Sequence, residues 1–399
     1  MAPGPHDPAI PGASSLDALQ VLIGAERFEE AEPVLAALRR DNRGHIGLLA
    51  LNGRLLRELG RPRQALEIQE ALVRLRPGDF GLRFDLAEIL LLLGDFPRGW
   101  REYGHRYRLA HTRELERKVQ APRWNGRPLE GRTILIHDEQ GYGDTLQFLR
   151  LVPAAKARGG QVVLEVHPDL IGLARTAGGY DRLIARGEPP PPFAVHCELM
   201  SLPLALGLAL TDLPGPVPYL RPDPARMRRW QTRLADLPRP WIALAWAGAG
   251  AHLRDRQRSI SLPQLEPLAA ARASFLSIQK GPRAAEARTP PPGLALTDLG
   301  DEIASFDDTA AILQLADLLI SVDSSPVHLA GALGRPVWAM LPLNPDWRWL
   351  ADRTDSPWYP SARLFRQSRR GDWAPVVDEI AAELVRLYGS ASAADSGPR

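Results

Sequence analysis

The chain has 399 residues, 45% hydrophobic and 24% charged, with a formal net charge of +2. That is the composition of an ordinary soluble globular protein of two or three domains. The near-neutral balance argues against a bulk electrostatic partner such as nucleic acid. A single cysteine, Cys197, excludes an internal disulfide framework and any cysteine-based zinc site, and fits a reducing, cytoplasmic location. No uncharged apolar run is long enough for a membrane span. Met1 to Ser15 lack the basic start and apolar core of a signal peptide, and this stretch is expected to be disordered.

Residues 16–110 carry an internal repeat. Gly24, Gly60 and Gly94 recur at spacings of 36 and 34, and the small residues Ala31, Ala65 and Gly99 at 34 and 34. The segments around Leu-Gly-Arg-Pro-Arg-Gln-Ala-Leu-Glu (59–67) and Leu-Gly-Asp-Phe-Pro-Arg-Gly-Trp-Arg (93–101) share the pattern L-x-x-x-G-x-x-x-x-A, with Gly99 in place of the alanine in the second. This period, with small residues where two helices meet, resembles the tetratricopeptide repeat. About three units are expected, the first carrying a two-residue insertion before Ala31. Each helix pair leaves an apolar stripe unburied, so neighbours stack into a solenoid with a groove.

Residues 111–131 are turn-rich and read as a linker. Beyond Thr133 the texture alternates between strand and helix. Ile134 to His137, Gln161 to Val166, Arg182 to Ala185 and Phe193 to His196 are expected strands, with Thr145 to Ala157 helical. After the proline-dense break from Pro214 to Pro224, strands are expected at Trp241 to Trp246, Ser274 to Ile278, Leu294 to Asp298, Leu318 to Val322 and Val337 to Leu341. Asp372 is placed to cap a last helix, Trp373 to Leu387, and 389–399 reads as a disordered tail. Two α/β series imply two doubly wound domains, at 132–225 and 226–388, facing across a cleft.

The most informative segment is Asp317 to Leu341. An apolar strand runs into Asp323, Ser324 and Ser325. A helix of about two turns follows, with Ser325 as N-cap and Pro326 at the first helical position. Gly334 is placed as the C-cap glycine. A helix N-terminus at the carboxyl end of a parallel strand attracts phosphate, and His328 sits in its first turn. A second such turn is Gly141-Tyr142-Gly143-Asp144, where Asp144 is either an N-cap or a general base facing the cleft. Arg254, Arg256 and Arg258 alternate in a loop after Trp246, as a solvated charged loop or as phosphate-binding forks. Gln279 and Lys280 follow another strand end. Trp347, Trp349, Trp358 and Tyr359 are read first as packing anchors, with base stacking as the alternative. H-E-x-x-H, G-x-S-x-G and G-x-x-x-x-G-K-[ST] are all missing from the sequence, which argues against zincins, α/β hydrolases and P-loop NTPases.

Residues 132–388 resemble the GT-B glycosyltransferases, in particular the heptosyltransferase-like family 9. Asp323-Ser-Ser-Pro-Val-His-Leu-Ala-Gly-Ala-Leu-Gly-Arg-Pro is similar to that family's donor-binding motif, and Gly141 to Asp144 to its first glycine loop. The resemblance implies a helical repeat region followed by two Rossmann-like domains. It implies Asp144 as catalytic base, and donor binding by Asp323, Ser324, Ser325, His328, Leu329, Gln279, Lys280, Arg256 and Arg258. Gly141, Tyr142, Gly143 and Trp246 would line the site. The implied reaction is metal-independent, inverting transfer from a nucleotide sugar, with no cofactor. Fusion of repeats to a GT-B pair is also similar to O-GlcNAc transferase and flagellin glycosyltransferases, where repeats present a protein acceptor. A glycan or lipid-linked acceptor and an inactive scaffold are the competing readings.

Overall fold

The computed structural model describes residues 13–109, 119–248, 250 and 255–391. The chain divides into two compact units, residues 1–113 with Asp346–Ala351, and residues 114–345 with 352–399.

The first unit is helical: α1 (Ala13–Gly24), α2 (Phe28–Asp41), α3 (Ile46–Glu58), α4 (Pro62–Leu75), α5 (Phe80–Leu92) and α6 (Phe96–Tyr103). Connections of a few residues make successive helices antiparallel neighbours. The second helix of each pair starts at Phe28, Pro62 and Phe96, and α3 and α5 start at Ile46 and Phe80, a strict interval of 34 residues. The left-handed residue that ends the first helix of each pair is Glu26 (φ 59), Gly60 (φ 69) and Gly94 (φ 84). The sequence alignment on Gly24 is therefore corrected: Gly24 is the last residue of α1, Glu26 occupies the turn, and the first repeat has no insertion. Ala31 and Ala65 are fully buried. At Gly99 a methyl group would lie 2.6 Å from the Leu91 side chain, so the helices of that pair touch backbone to side chain.

Trp347 and Trp349 belong to this unit and are buried in it. Trp347 meets Trp100 edge-on at 5.2 Å and Tyr103 at 6.2 Å. Ala351 donates its N–H to the carbonyl of Leu92 at 2.9 Å. The packing reading of these tryptophans holds, and a role for Trp347 or Trp349 in stacking on a nucleotide base has no geometric support. Their place in the helical unit sets residues 346–351 apart from the second α/β domain expected over 226–388.

The second unit contains two all-parallel sheets. One has the order β3-β2-β1-β4, with β1 (Thr133–His137), β2 (Gln161–Val166), β3 (Arg182–Ala185) and β4 (Val195–Glu198). The other has the order β10-β9-β8-β5-β6-β7, with β5 (Trp241–Ala245), β6 (Ser274–Ser277), β7 (Leu296–Asp298), β8 (Leu318–Val322), β9 (Val337–Leu341) and β10 (Ala362–Arg366). The central strands β5, β8 and β9 are buried along their whole length, which is why they read as unbroken apolar runs rather than alternating ones.

The expected helix over 145–157 is broken. Helix α7 (Tyr142–Phe148) gives way to a 3-10 turn at 149–151 and then to α8 (Val152–Lys156), where Pro153 removes an intrahelical donor. The fourth strand begins two residues later than expected, in register with Ile134. The edge strand β10 was not anticipated. The remaining helices are α9 (Ile171–Ala174), α10 (Leu202–Leu206), α11 (Pro224–Arg233), α12 (Asp255–Arg258), α13 (Phe306–Leu315), α14 (Ser325–Ala332) and α15 (Ala374–Tyr388). The last begins at Ala374 with Trp373, not Asp372, at its N-cap.

Candidate functional site

Helix α14 opens directly from the carboxyl end of β8. Its N-cap is Ser324, one residue earlier than expected, with Pro326 in the first turn. The Ser324 hydroxyl donates to the carbonyl of Val322 at 3.1 Å and lies 3.1 Å from the Ser321 hydroxyl. Leu333 ends the helix, and Gly334 follows at φ +69, the C-cap glycine expected there. Among its first residues Asp323 is buried, whereas Ser324 and Ser325 are half-buried. A helix N-terminus leaves backbone N–H groups without intrahelical partners and carries a partial positive charge.

Helix α7 is laid against this opening. A methyl group on Gly143 would sit 2.8 Å from His328 Cδ2 and 3.7 Å from the Ser325 Cα. Glycine at 143 is thus what lets the first glycine loop, in one sheet domain, approach the serine-rich turn of the other. Asp144 Oδ2 accepts the Gly141 N–H at 2.9 Å, so its carboxylate caps α7. Capping and facing the cleft are compatible, because a carboxylate has two oxygens. Asp144 is half-buried.

Tyr142 spans the same junction. Its hydroxyl donates to Asp169 at 2.7 Å, and its ring lies 4.9 Å from both His167 and Phe306. The neighbouring Asp169 carboxylate holds the phenol protonated, pushing its pKa up to about 12, with partial burial adding to the effect.

Arg258 reaches the site from α12. It donates to the Asp323 carbonyl at 2.8 Å and pairs with Asp255 at 3.0 Å. A methyl on Gly248 would strike both Asp255 and Arg258, so that glycine lets α12 fold over the loop after β5. Arg256 is exposed on the same short helix, and Arg254 lies outside the described residues.

Residues 302–349 match the family model described as glycosyltransferase family 9 (heptosyltransferase). That span includes β8, α14 and β9. Protein FlbA of Caulobacter vibrioides is 29% identical over 363 residues, covering 82% of this chain. The chain spans 59% of that relative's length. The crystal structure of a family 9 glycosyl transferase from Veillonella parvula matches with a TM-score of 0.50 at 10% identity, over 66% of this chain and 98% of that one. The α/β unit shares the fold of family 9 glycosyltransferases. The ADP-heptose lipopolysaccharide heptosyltransferase II of E. coli matches with a TM-score of 0.46 at 14% identity, over 64% of this chain and 99% of that one.

Within this fold, several sequence candidates sit deeper than the site. Gln279 is buried and works as a clip: its carbonyl accepts the Trp246 and Ala247 N–H groups at 2.8 and 2.9 Å, and its amide donates to the Ala247 and Lys280 carbonyls. It shapes the loop after β5. Trp246 is fully buried, with its indole N–H on Glu286 at 3.1 Å, and Leu329 is fully buried in α14. Lys280 is exposed, and its ammonium donates to the carbonyls of Gly300 and Ile303 at 2.8 and 3.1 Å.

Sequence reading missed a buried support behind His328. His328 Nδ1 lies 2.9 Å from the Tyr359 hydroxyl. Arg150, buried beside α7, stacks on the rings of Tyr359 at 4.8 Å and Tyr219 at 4.6 Å. It also donates to the Trp358 carbonyl at 2.7 Å and the Pro214 carbonyl at 3.2 Å. The available signal was an arginine inside the apolar run Phe148 to Val152, since a buried charge must find partners.

A second overlooked group is His137, His196 and Glu198, all buried on the neighbouring strands β1 and β4, with ligand-capable atoms within 4.8 Å of one another. His137 Nε2 and His196 Nδ1 lie 3.2 Å apart while the ring centroids are 5.5 Å apart at 15° between planes. The rings therefore meet edge to edge, nitrogen facing nitrogen, as in an N–H···N hydrogen bond. A metal bound at about 2.0–2.1 Å from each nitrogen does not fit between them without ring rotation. Arg123 pairs with Glu198 at 2.8 Å. The group reads as a polar brace between β1 and β4.

Proposed function

We propose that the chain is a glycosyltransferase that moves a sugar from a nucleotide-sugar donor to a hydroxyl group. One observation supports this reading: Gly143, the residue before Asp144 in α7, lies against His328 and Ser325 in the first turn of α14. The acceptor O–H gives its proton to Asp144, and its oxygen bonds to the anomeric carbon. The bond from that carbon to the diphosphate breaks, and its electron pair leaves with the diphosphate. Negative charge then develops where the α14 N-terminus, Ser324, Ser325 and the Arg258 loop supply N–H groups and positive charge. Single displacement inverts the anomeric centre, and no metal is required, because these groups do a cation's work. Arg256, exposed on the same short helix as Arg258, and Lys280, exposed after β6, complete the donor contacts.

The acceptor is a protein or other macromolecule presented by the helical repeats, which are of tetratricopeptide type. A saccharide acceptor is the second reading, favoured by the heptosyltransferase description of the model that residues 302–349 match. No helix among the described residues is long and apolar enough to cross a membrane.

A thermal-shift panel of UDP-, GDP-, ADP- and CMP-sugars tests the donor site. Saturable stabilisation by one nucleotide class, weakened in Lys280→Ala, is the expected result. No stabilisation by any member, together with no release of nucleoside diphosphate in the presence of candidate acceptors, would overturn the reading in favour of an inactive scaffold.

A further inference from the structure

We propose that Tyr359, backed by Arg150, is a positioning residue that holds His328 as the neutral tautomer with its proton on Nε2, the nitrogen on the Gly143 side. The functional consequence rests on the reading of this cleft as a donor site; the tautomer itself does not.

A neutral imidazole has one donor and one acceptor nitrogen, and the partner of one decides the other. The partner of Nδ1 is the Tyr359 hydroxyl at 2.9 Å. A phenol can donate or accept, so its own surroundings choose. The guanidinium of Arg150 lies over the Tyr359 ring at 4.8 Å and is fixed there by the Trp358 and Pro214 carbonyls and the Tyr219 hydroxyl at 3.0 Å. A cation beside the ring draws electron density from the phenol oxygen. That weakens its lone pairs as acceptors and strengthens its O–H as a donor. Tyr359 therefore donates to Nδ1, and the imidazole proton resides on Nε2.

The ring has no room to reverse this choice. Tyr359 is fully buried and packed on Gly331, where a methyl group would come within 2.2 Å of the ring. His328 is buried too, with its Cδ2–Nε2 edge against Gly143. The result is a directed donor in the first turn of α14, beside the N–H groups that would meet a diphosphate. Arg150 and Tyr359 act through His328, across the two sheet domains, without touching the donor.

The tautomer is read directly by nitrogen-15 spectra of histidine-labelled protein, with His328 assigned from its loss in His328→Gln. A protonated Nε2 and a bare Nδ1 in the wild type, shifting to a tautomer mixture in Tyr359→Phe, is expected. An Nδ1–H tautomer or an imidazolium at neutral pH, or an unchanged spectrum in Tyr359→Phe, would overturn the proposal. Donor binding supplies the second arm. His328→Gln retains a donor near the Nε2 position and His328→Asn does not, so glutamine should bind the stabilising nucleotide sugar more tightly than asparagine. Tyr359→Phe should weaken binding or kcat/KM by about two- to tenfold in the wild type, and by nothing further in His328→Gln. An equal loss in both backgrounds would mark Tyr359 as merely structural. If the tautomer is as stated but no nucleotide sugar binds, the functional reading fails and the positioning stands.

Discussion

Gly331→Ala isolates the packing on which the α14 site depends. Gly331 is within the helix, so alanine suits its backbone and by propensity alone would stabilise α14 by about 1 kcal/mol. The tertiary structure reverses that sign. The new methyl would lie 2.2, 2.3 and 2.7 Å from three carbons of the Tyr359 ring. That ring is fully buried and backed by Arg150, so it has nowhere to go. Overpacking a filled core costs about 1–3 kcal/mol, and three ring atoms struck at once put the cost near ~3. The net expectation is a loss of about 2 kcal/mol, roughly thirtyfold in the folding equilibrium. Urea unfolding measures this, with hydrogen exchange on the β8 and α14 peptides locating it in the second unit. The same substitution at Gly24, whose side-chain position meets nothing within 4 Å, should leave the protein as stable or more so. An unchanged or raised urea midpoint in Gly331→Ala would refute the claim that Tyr359 is held rigidly against α14.

Asp144→Asn keeps an acceptor for the Gly141 N–H, so the melting temperature should hold within a degree or two. Transfer should fall by about 10²–10⁴ while donor binding is spared; persistent transfer would remove Asp144 as the base. Tyr142 titrates above its ordinary 10, at about 12. Folding therefore gains from its protonated form fully below about pH 10 and loses that gain as the pH rises through 12. Tyr142→Phe should flatten the alkaline decline in stability over that window, and an unaltered decline would count against the Asp169 bond. Glu26→Gly should stabilise the helical unit by about 0.5–1 kcal/mol, because glutamate at φ 59 bears a strain that Gly60 and Gly94 avoid at the equivalent turns. Measured by urea unfolding, a destabilised variant would show that Glu26 is not the repeat equivalent of those glycines. Removing residues 1–110 is a poor test of the repeats, since it strips the cover from Trp347 and Trp349; transfer to a macromolecular acceptor should instead be compared in charge-reversed variants of exposed repeat residues such as Arg61 and Arg74. Unchanged transfer there would leave the repeats out of acceptor choice.

Much of the architecture was legible because buried parallel strands write themselves as apolar runs. Leu318 to Val322, Val337 to Leu341 and Gln161 to Val166 appear where they were expected. The β10 edge strand was missed because Arg363 and Arg366 interrupt its apolar pattern. Their stems run along the sheet, and Arg363 stacks on Phe365 at 4.5 Å. The 34-residue interval was visible, but the turn residue of the first repeat was not, since Glu26 does a glycine's work there and no local rule predicts that.

The polar turns were equally readable. Ser325, Pro326 and Gly334 announce a short helix at a strand end, to within one residue of its N-cap, and Gly141 to Asp144 announce another, through capping chemistry that acts over three or four residues. What those turns face was decided only by tertiary structure. Gln279 and Trp246 lie buried, one clipping the loop after β5 and the other in the core, because burial depends on the strands laid beside them. Arg150 and Tyr359 stand 209 positions apart in the chain and meet because two separate sheets bring α7 and α14 together at Gly143. Local chemistry, set by short-range hydrogen bonds and periodicity, belongs to the sequence; the pairing of distant side chains into one site belongs to packing, which no window of neighbouring residues contains.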